Sequence, residues 1–131
     1  MFVLSTVILS LISLPKVELT TMNTNPKRAE IVSISTDLPR IGNWWRVPKD
    51  VKKMTIRVNA KNTETVLFWL IPTGTQTWGQ RELIGYDKDG SDGWSLSWGV
   101  DNRELHDHIF VQAIGDETVS SSSINVTTSF P

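Results

Sequence analysis

Apolar and polar residues alternate in short stretches of the chain from residue 29 onward. Trp94, Leu96 and Trp98 are separated by serines, which is the period of two expected of a strand with one buried face. Seven stretches favour strands and are separated by turn-forming Gly, Pro, Asp and Asn; they span 29–36, 50–60, 66–71, 82–86, 94–98, 109–114 and 122–128. No segment sustains the spacing of three and four that marks an amphipathic helix. The pattern predicts an all-β, antiparallel sandwich or barrel.

The composition favours the same fold class and limits the chemistry. The 131 residues include 12 Val, 11 Ile and 14 Thr against 3 Ala, and β-branched side chains fit a pleated sheet better than a helix. Cysteine is absent, so disulfides, cysteine nucleophiles and cysteine zinc sites are excluded. The net charge of -1 argues against a nucleic-acid partner, which normally meets a basic surface.

The first residues differ from the rest of the chain. Residues 2–14 are uncharged and mostly apolar, and 13 residues are fewer than the roughly 20 that a helix needs to cross a bilayer. The length suits a secretory signal, but no Lys or Arg precedes this run and no A-x-A-like cleavage site follows it. A leftover strand of a preceding domain, or a true start at Met22, remain alternatives. We therefore divide the chain into residues 1–22, an apolar leader (a candidate signal or anchor) with a linker, and a domain at residues 23–131.

Five pieces of the later sequence resemble bacterial immunoglobulin-like (Big-type) domains. In order, they are VLFWL at 66–70, LIGYD at 83–87, WSLSW at 94–98, HIFVQA at 108–113 and INVT at 124–127. Three positions depart from the family: Asp107 stands where Gly is usual, and Trp69 and Ile71 stand where polar residues are usual. The resemblance implies an immunoglobulin-like antiparallel β-sandwich of about seven strands.

The same resemblance implies a function without catalysis. Members of the family are modules of bacterial surface proteins and secreted enzymes, so we expect an extracellular or cell-surface module for adhesion, domain spacing or partner docking. The partner would be another protein domain or a cell-surface glycan, and the module is expected to be monomeric, with no transmembrane span. The sequence has no G-x-S-x-G motif, and we expect neither enzymatic activity nor a cofactor.

Two clusters carry residue types that bind metals. His106 and His108 are two positions apart on a predicted strand, but a metal site needs a third ligand, so a structural role is favoured. Asp87, Asp89 and Asp92 are a weak calcium candidate, because calcium binds 6–8 oxygen ligands and alternating Asp residues often begin such sites. Asp and Gly are also common turn residues, and an ordinary turn is favoured here.

The tryptophans fall into two groups. Trp94 and Trp98 are predicted to be core residues. Trp44, Trp45 and Trp78 lie in Gly- and Pro-flanked sequence that predicts loops. There they would either close the ends of the sandwich or serve as exposed stacking platforms. The second alternative would make the chain a carbohydrate-binding module, and a calcium-stabilised spacer is a further alternative.

The continuous apolar run at 66–71 raises the question of what covers its outer side. If Val66, Phe68 and Leu70 face the core, as the resemblance implies, the period of two sends Leu67, Trp69 and Ile71 outward. The neighbouring strand sends Ile109, Val111 and Ala113 inward and Phe110 outward. Trp69 and Phe110 are then predicted to lie side by side on the outer face, with Tyr86 nearby. Such a patch requires either a covering segment of the chain or a docked partner.

Overall fold

A computed structural model describes residues 27–128. Within this range there are nine strands and one three-residue 3₁₀ helix, Trp78–Gln80. The strands are β1 (Glu30–Thr36), β2 (Arg40–Ile41), β3 (Trp44–Arg46), β4 (Lys53–Lys61), β5 (Thr65–Pro72), β6 (Glu82–Asp87), β7 (Trp94–Gly99), β8 (His106–Ile114) and β9 (Val119–Thr127). The seven predicted strands are confirmed, with shifts of a few residues at their ends. The leader at residues 1–22 lies outside the described residues, and the proposed domain boundary stays a prediction.

The strands form two sheets, ordered β2-β3-β9-β8-β5-β6 and β1-β4-β7. Paired strands are antiparallel, except that β3 runs parallel to β9. Of the seven longer strands, β1, β4 and β7 form one sheet, and β5, β6, β8 and β9 form the other. This division between two sheets defines an immunoglobulin-like β-sandwich, so the predicted fold class is confirmed.

The core lies between the two sheets and is built from the predicted inward positions. Phe68 on β5 and Ile109 on β8 are fully buried, and they meet Met54 and Ile56 from β4 of the opposite sheet. The predicted inward residues of β5 and β8 are all buried; they are Val66, Phe68, Leu70, Ile109, Val111 and Ala113. Trp98 is buried as predicted, whereas Trp94 is half-buried at the margin of the same core.

The structure corrects the prediction for two tryptophans. Trp44 and Trp45 do not lie in a loop: they form β3, which pairs with the last residues of β9 through Asn125 and Val126. Trp45 is partly buried and packs against the core. The sequence hides this strand because it is three residues long and depends on a partner 80 residues later in the chain.

The described chain enters and leaves the sandwich at opposite ends. Ala29 donates its backbone N–H to Thr118 at the end where β8 turns into β9. At the other end, Val47 donates its N–H to Thr127, just before the last described residue. No helix within residues 27–128 has the length and apolar character required to cross a membrane.

Candidate functional site

The outer face of the six-stranded sheet brings the predicted aromatic residues together. Trp69 on β5 lies directly opposite Phe110 on β8, and Leu67 lies opposite Tyr86 on β6. The predicted neighbours on this face are therefore confirmed. Ile71 is buried as well, although it lies outside the core between the sheets, so the outer face is partly covered near this residue.

Part of the cover is the connection between β5 and β6. Its 3₁₀ turn places Trp78 against the pair below: the ring centroids of Trp78 and Phe110 are 5.1 Å apart at 76°, an edge-on arrangement. Trp78 and Trp69 are 6.3 Å apart and tilted by 51°. A loop of the chain therefore lies over Trp69 and Phe110. This is the first of the two alternatives, a covering segment of the chain itself.

Arg81 fixes this loop to the sheet. This role is not apparent from the pattern of residues in the sequence. The guanidinium carbon of Arg81 lies 4.4 Å from the ring centre of Trp78 and 5.1 Å from that of Trp69, within the range of cation–π contact. Its Nη1 donates to the carbonyl of Trp78 at 3.1 Å. These contacts depend on the 3₁₀ turn, whose geometry the sequence pattern does not reveal.

The cover is incomplete, and a sizeable apolar area stays accessible. Trp78 is 45% exposed, Leu83 46% and Tyr86 58%. Trp69 is half-buried, and its indole N–H donates to Gln112 Oε1 at 2.7 Å. We call this region the aromatic surface; it consists of Trp69, Trp78, Arg81, Leu83, Tyr86 and Phe110.

The two histidines make structural contacts instead of converging on one point. His106 stacks on Trp44, with centroids 4.6 Å apart and planes inclined by 16°. His108 Nδ1 lies 2.6 Å from Asn125 Oδ1, and the amide nitrogen of Asn125 donates to the carbonyl of Asn43. Among residues 27–128, no three His, Asp or Glu side chains are grouped so as to hold a metal ion.

Two aspartates of the weak calcium candidate, Asp87 and Asp89, cap the β6–β7 connection. Asp87 accepts the N–H of Asp89 with one oxygen and the N–H of Ser95 with the other. Asp89 accepts both the hydroxyl and the N–H of Ser91, and the hydroxyl bond lowers the pKa of Asp89. The β6–β7 connection crosses from one sheet to the other. The carboxylates of Asp87 and Asp89 stabilise its turns.

A groove lies elsewhere, at the end of the sandwich near Thr128. It has a volume of about 1010 Å³ and is lined by the segments 46–51 and 100–106. Its rim carries both signs of charge, including Lys49, Asp50 and Asp101. It contains none of the residues in the aromatic surface.

Comparison with known proteins adds little beyond the fold. No family model matches the sequence, and no curated protein matches it. One similar solved structure is described as the crystal structure of FN3tt, with 10% identity, a TM-score of 0.48 and coverage of 79% of this chain and 99% of that chain. The immunoglobulin-like class stands on the strand order of this chain itself.

Proposed function

We propose that this chain is a non-catalytic immunoglobulin-like module that docks a partner through the aromatic surface. The observation that carries the proposal is the incomplete cover of that surface: Trp78 packs against Trp69, Leu83 lies opposite Trp69 in the sheet, and both stay about half exposed, as does Tyr86 further along the strand of Leu83. Contiguous exposed apolar area bordered by polar groups typically marks a binding site, and Trp, Tyr and Arg are enriched at protein interfaces.

The positions at which the described residues enter and leave the sandwich support a second part of the role, the spacing of neighbouring domains. A module that the chain enters at one end and leaves at the other can be threaded into a linear array. The resemblance to Big-type domains and the apolar leader favour a bacterial surface or secreted protein as the setting. Protease treatment of intact cells expressing a tagged full chain tests the location: we expect cleavage outside the cell, and full protection would contradict it.

A carbohydrate-binding module is the alternative, favoured by the exposure of Trp78. The ring geometry supports it less well, because flat sugar rings stack best on open, coplanar aromatic faces. Here the neighbouring rings are tilted by 51° and 76° and pack against one another. A protein surface can adapt to such an uneven relief.

Site-specific photocrosslinking tests the docking proposal. A photoreactive phenylalanine analogue at Tyr86 should crosslink a partner from the source organism. The same analogue at Val32 is the matched control, because Val32 is 48% exposed but lies on β1 of the other sheet. A crosslink from position 86 and none from position 32 supports docking. Equal products from both positions, or none from either, would overturn it.

A further inference from the structure

We propose that the aromatic surface recognises an acidic segment of a protein partner, with a partner carboxylate bound by Arg81. This inference rests on the docking function proposed above and names the chemistry of the partner. Arg81 carries the inference, because its positive charge is held in a fixed position against the exposed aromatic rings.

Within residues 27–128, Arg40, Arg81 and Arg103 lie over tryptophans, and only Arg103 has an acidic partner. Arg103 lies 5.6 Å from the ring centre of Trp98 and binds both carboxylate oxygens of Glu82, at 3.0 and 2.9 Å. Arg81 lies over Trp78 and Trp69 but forms no ion pair with any residue in the range 27–128. The charge of Arg103 is paired with Glu82, whereas the charge of Arg81 stays available to a partner.

Arg81 is also held in place before a partner arrives. The two indole rings lie within cation–π distance of the guanidinium carbon, and the bond to the Trp78 carbonyl uses one guanidinium nitrogen. Guanidinium carries five N–H donors in a rigid fork, so donors remain for a carboxylate. A group whose geometry is already fixed loses little conformational entropy on binding.

The charges around the aromatic surface have the sign that attracts an acid. Lys88 places its amine 5.6 Å from the ring centre of Tyr86. The neighbouring carboxylates are engaged: Glu82 by Arg103, and Asp87 by two backbone N–H groups. Arg81 and Lys88 thus bring to this surface two positive charges that no ion pair within residues 27–128 neutralises, although Asp87 keeps its negative charge and the chain as a whole has a net charge of -1.

A protein segment suits this surface better than an acidic glycan does. Leu83 lies opposite Trp69 in the sheet and adds an exposed aliphatic side chain, which offers a sugar no hydrogen bond. Binding energy at protein interfaces concentrates on Trp, Tyr and Arg residues, and all three are present here. We therefore expect the partner segment to place apolar side chains on Trp78 and Leu83 on either side of its carboxylate.

The test begins with selection of a phage-displayed random twelve-residue peptide library on the full chain. We expect enriched peptides to combine Asp or Glu with aromatic or aliphatic neighbours. A labelled peptide from this set should bind the Arg81→Gln variant about tenfold or more weakly, as should a peptide whose acid is replaced by the amide. Arg57→Gln, which removes an exposed arginine on β4 of the other sheet, is the matched control and should bind normally.

The outcomes separate this inference from the docking function on which it rests. Peptides that need Trp78 but not Arg81 would overturn the acidic partner and keep docking. Failure to enrich any peptide that depends on Trp78 or Arg81 would overturn both. Binding of hyaluronan or polygalacturonate in an Arg81-dependent manner, with no peptide bound, would overturn the protein partner. Melting curves of each variant verify that it is folded.

Discussion

At the scale of single residues, the tryptophans divide by the face on which they lie. Trp98 is 6% exposed and fills the core, whereas Trp78 is 45% exposed and lies on the outer aromatic surface. The first stabilises the fold through full burial, and the second keeps area available for a partner. This division makes their energetic contributions separable.

Substitution of these two residues by alanine should therefore have unequal effects on stability. Trp98→Ala removes a large buried aromatic side chain and should cost about 3–5 kcal/mol. Trp78→Ala should cost about 1 kcal/mol, since the indole is half exposed and gives up only its contacts with Phe110 and Arg81. Urea denaturation of both variants measures the difference, and equal losses would show that both positions are misassigned.

The Glu82–Arg103 pair predicts a small pH dependence of stability. The hydrogen bond from Arg103 holds the pKa of Glu82 below its ordinary value of 4.5. Since the folded state has the lower pKa, the pair stabilises the fold above pH 4.5, and this contribution is lost as the pH falls through the folded-state pKa. Both side chains are about half exposed, so screening limits the contribution to at most about 1 kcal/mol.

Denaturation of the wild type and Glu82→Gln at pH 7 and pH 3 tests this sign. The wild type should be the more stable at pH 7, and the gap should narrow at pH 3, because the contribution is lost as the pH falls toward the lowered folded-state pKa of Glu82. A gap that widens in acid would contradict the assignment.

At the scale of elements, the β6–β7 connection depends on one aspartate more than on the others. Asp87 bonds the N–H groups of Asp89 and Ser95, the second of which belongs to β7, whereas Asp92 is exposed and has no such bond in the described residues. Asp87→Ala should therefore cost about 1–2 kcal/mol, and Asp92→Ala close to none.

The β6–β7 connection also carries the candidate calcium ligands Asp87, Asp89 and Asp92, and melting experiments test whether they bind calcium. Melting of the wild type and the double variant Asp89→Asn, Asp92→Asn, with calcium and then with chelator, compares the two interpretations. We expect no calcium-dependent rise for either protein. A rise in the wild type that the double variant lacks would establish a calcium site, because a ligand bound only by the folded state raises stability.

The seven longer strands could be predicted because each carries its own pattern of apolar residues. In β5 and β8, the resemblance implied which residues face inward, and the period of two then correctly placed Trp69 beside Phe110 on the outer face. The sequence did not reveal β3 or the position of Arg81. Both depend on contacts between distant segments: β3 is set by β9, and Arg81 by a turn that folds onto the sheet.

At the scale of the whole molecule, the sheet faces that stabilise the sandwich differ from the sheet face that is accessible to a partner. The inner faces of both sheets meet in one core, and the two ends of the described range, near Ala29 and Thr127, lie at opposite ends of that core. The outer side of β5, β6 and β8 carries the aromatic surface. A module of this design can occupy a linear array and still offer its broad side to a partner.

The central claim is that the aromatic surface serves binding more than stability, and Trp78→Ser tests it most directly. The yield of partner crosslinked from position 86 and the free energy of unfolding are measured for the same full-length variant. We predict that the crosslink is lost while unfolding becomes easier by only about 1 kcal/mol. An unchanged crosslink, or a loss of stability as large as that of Trp98→Ala, would contradict the claim.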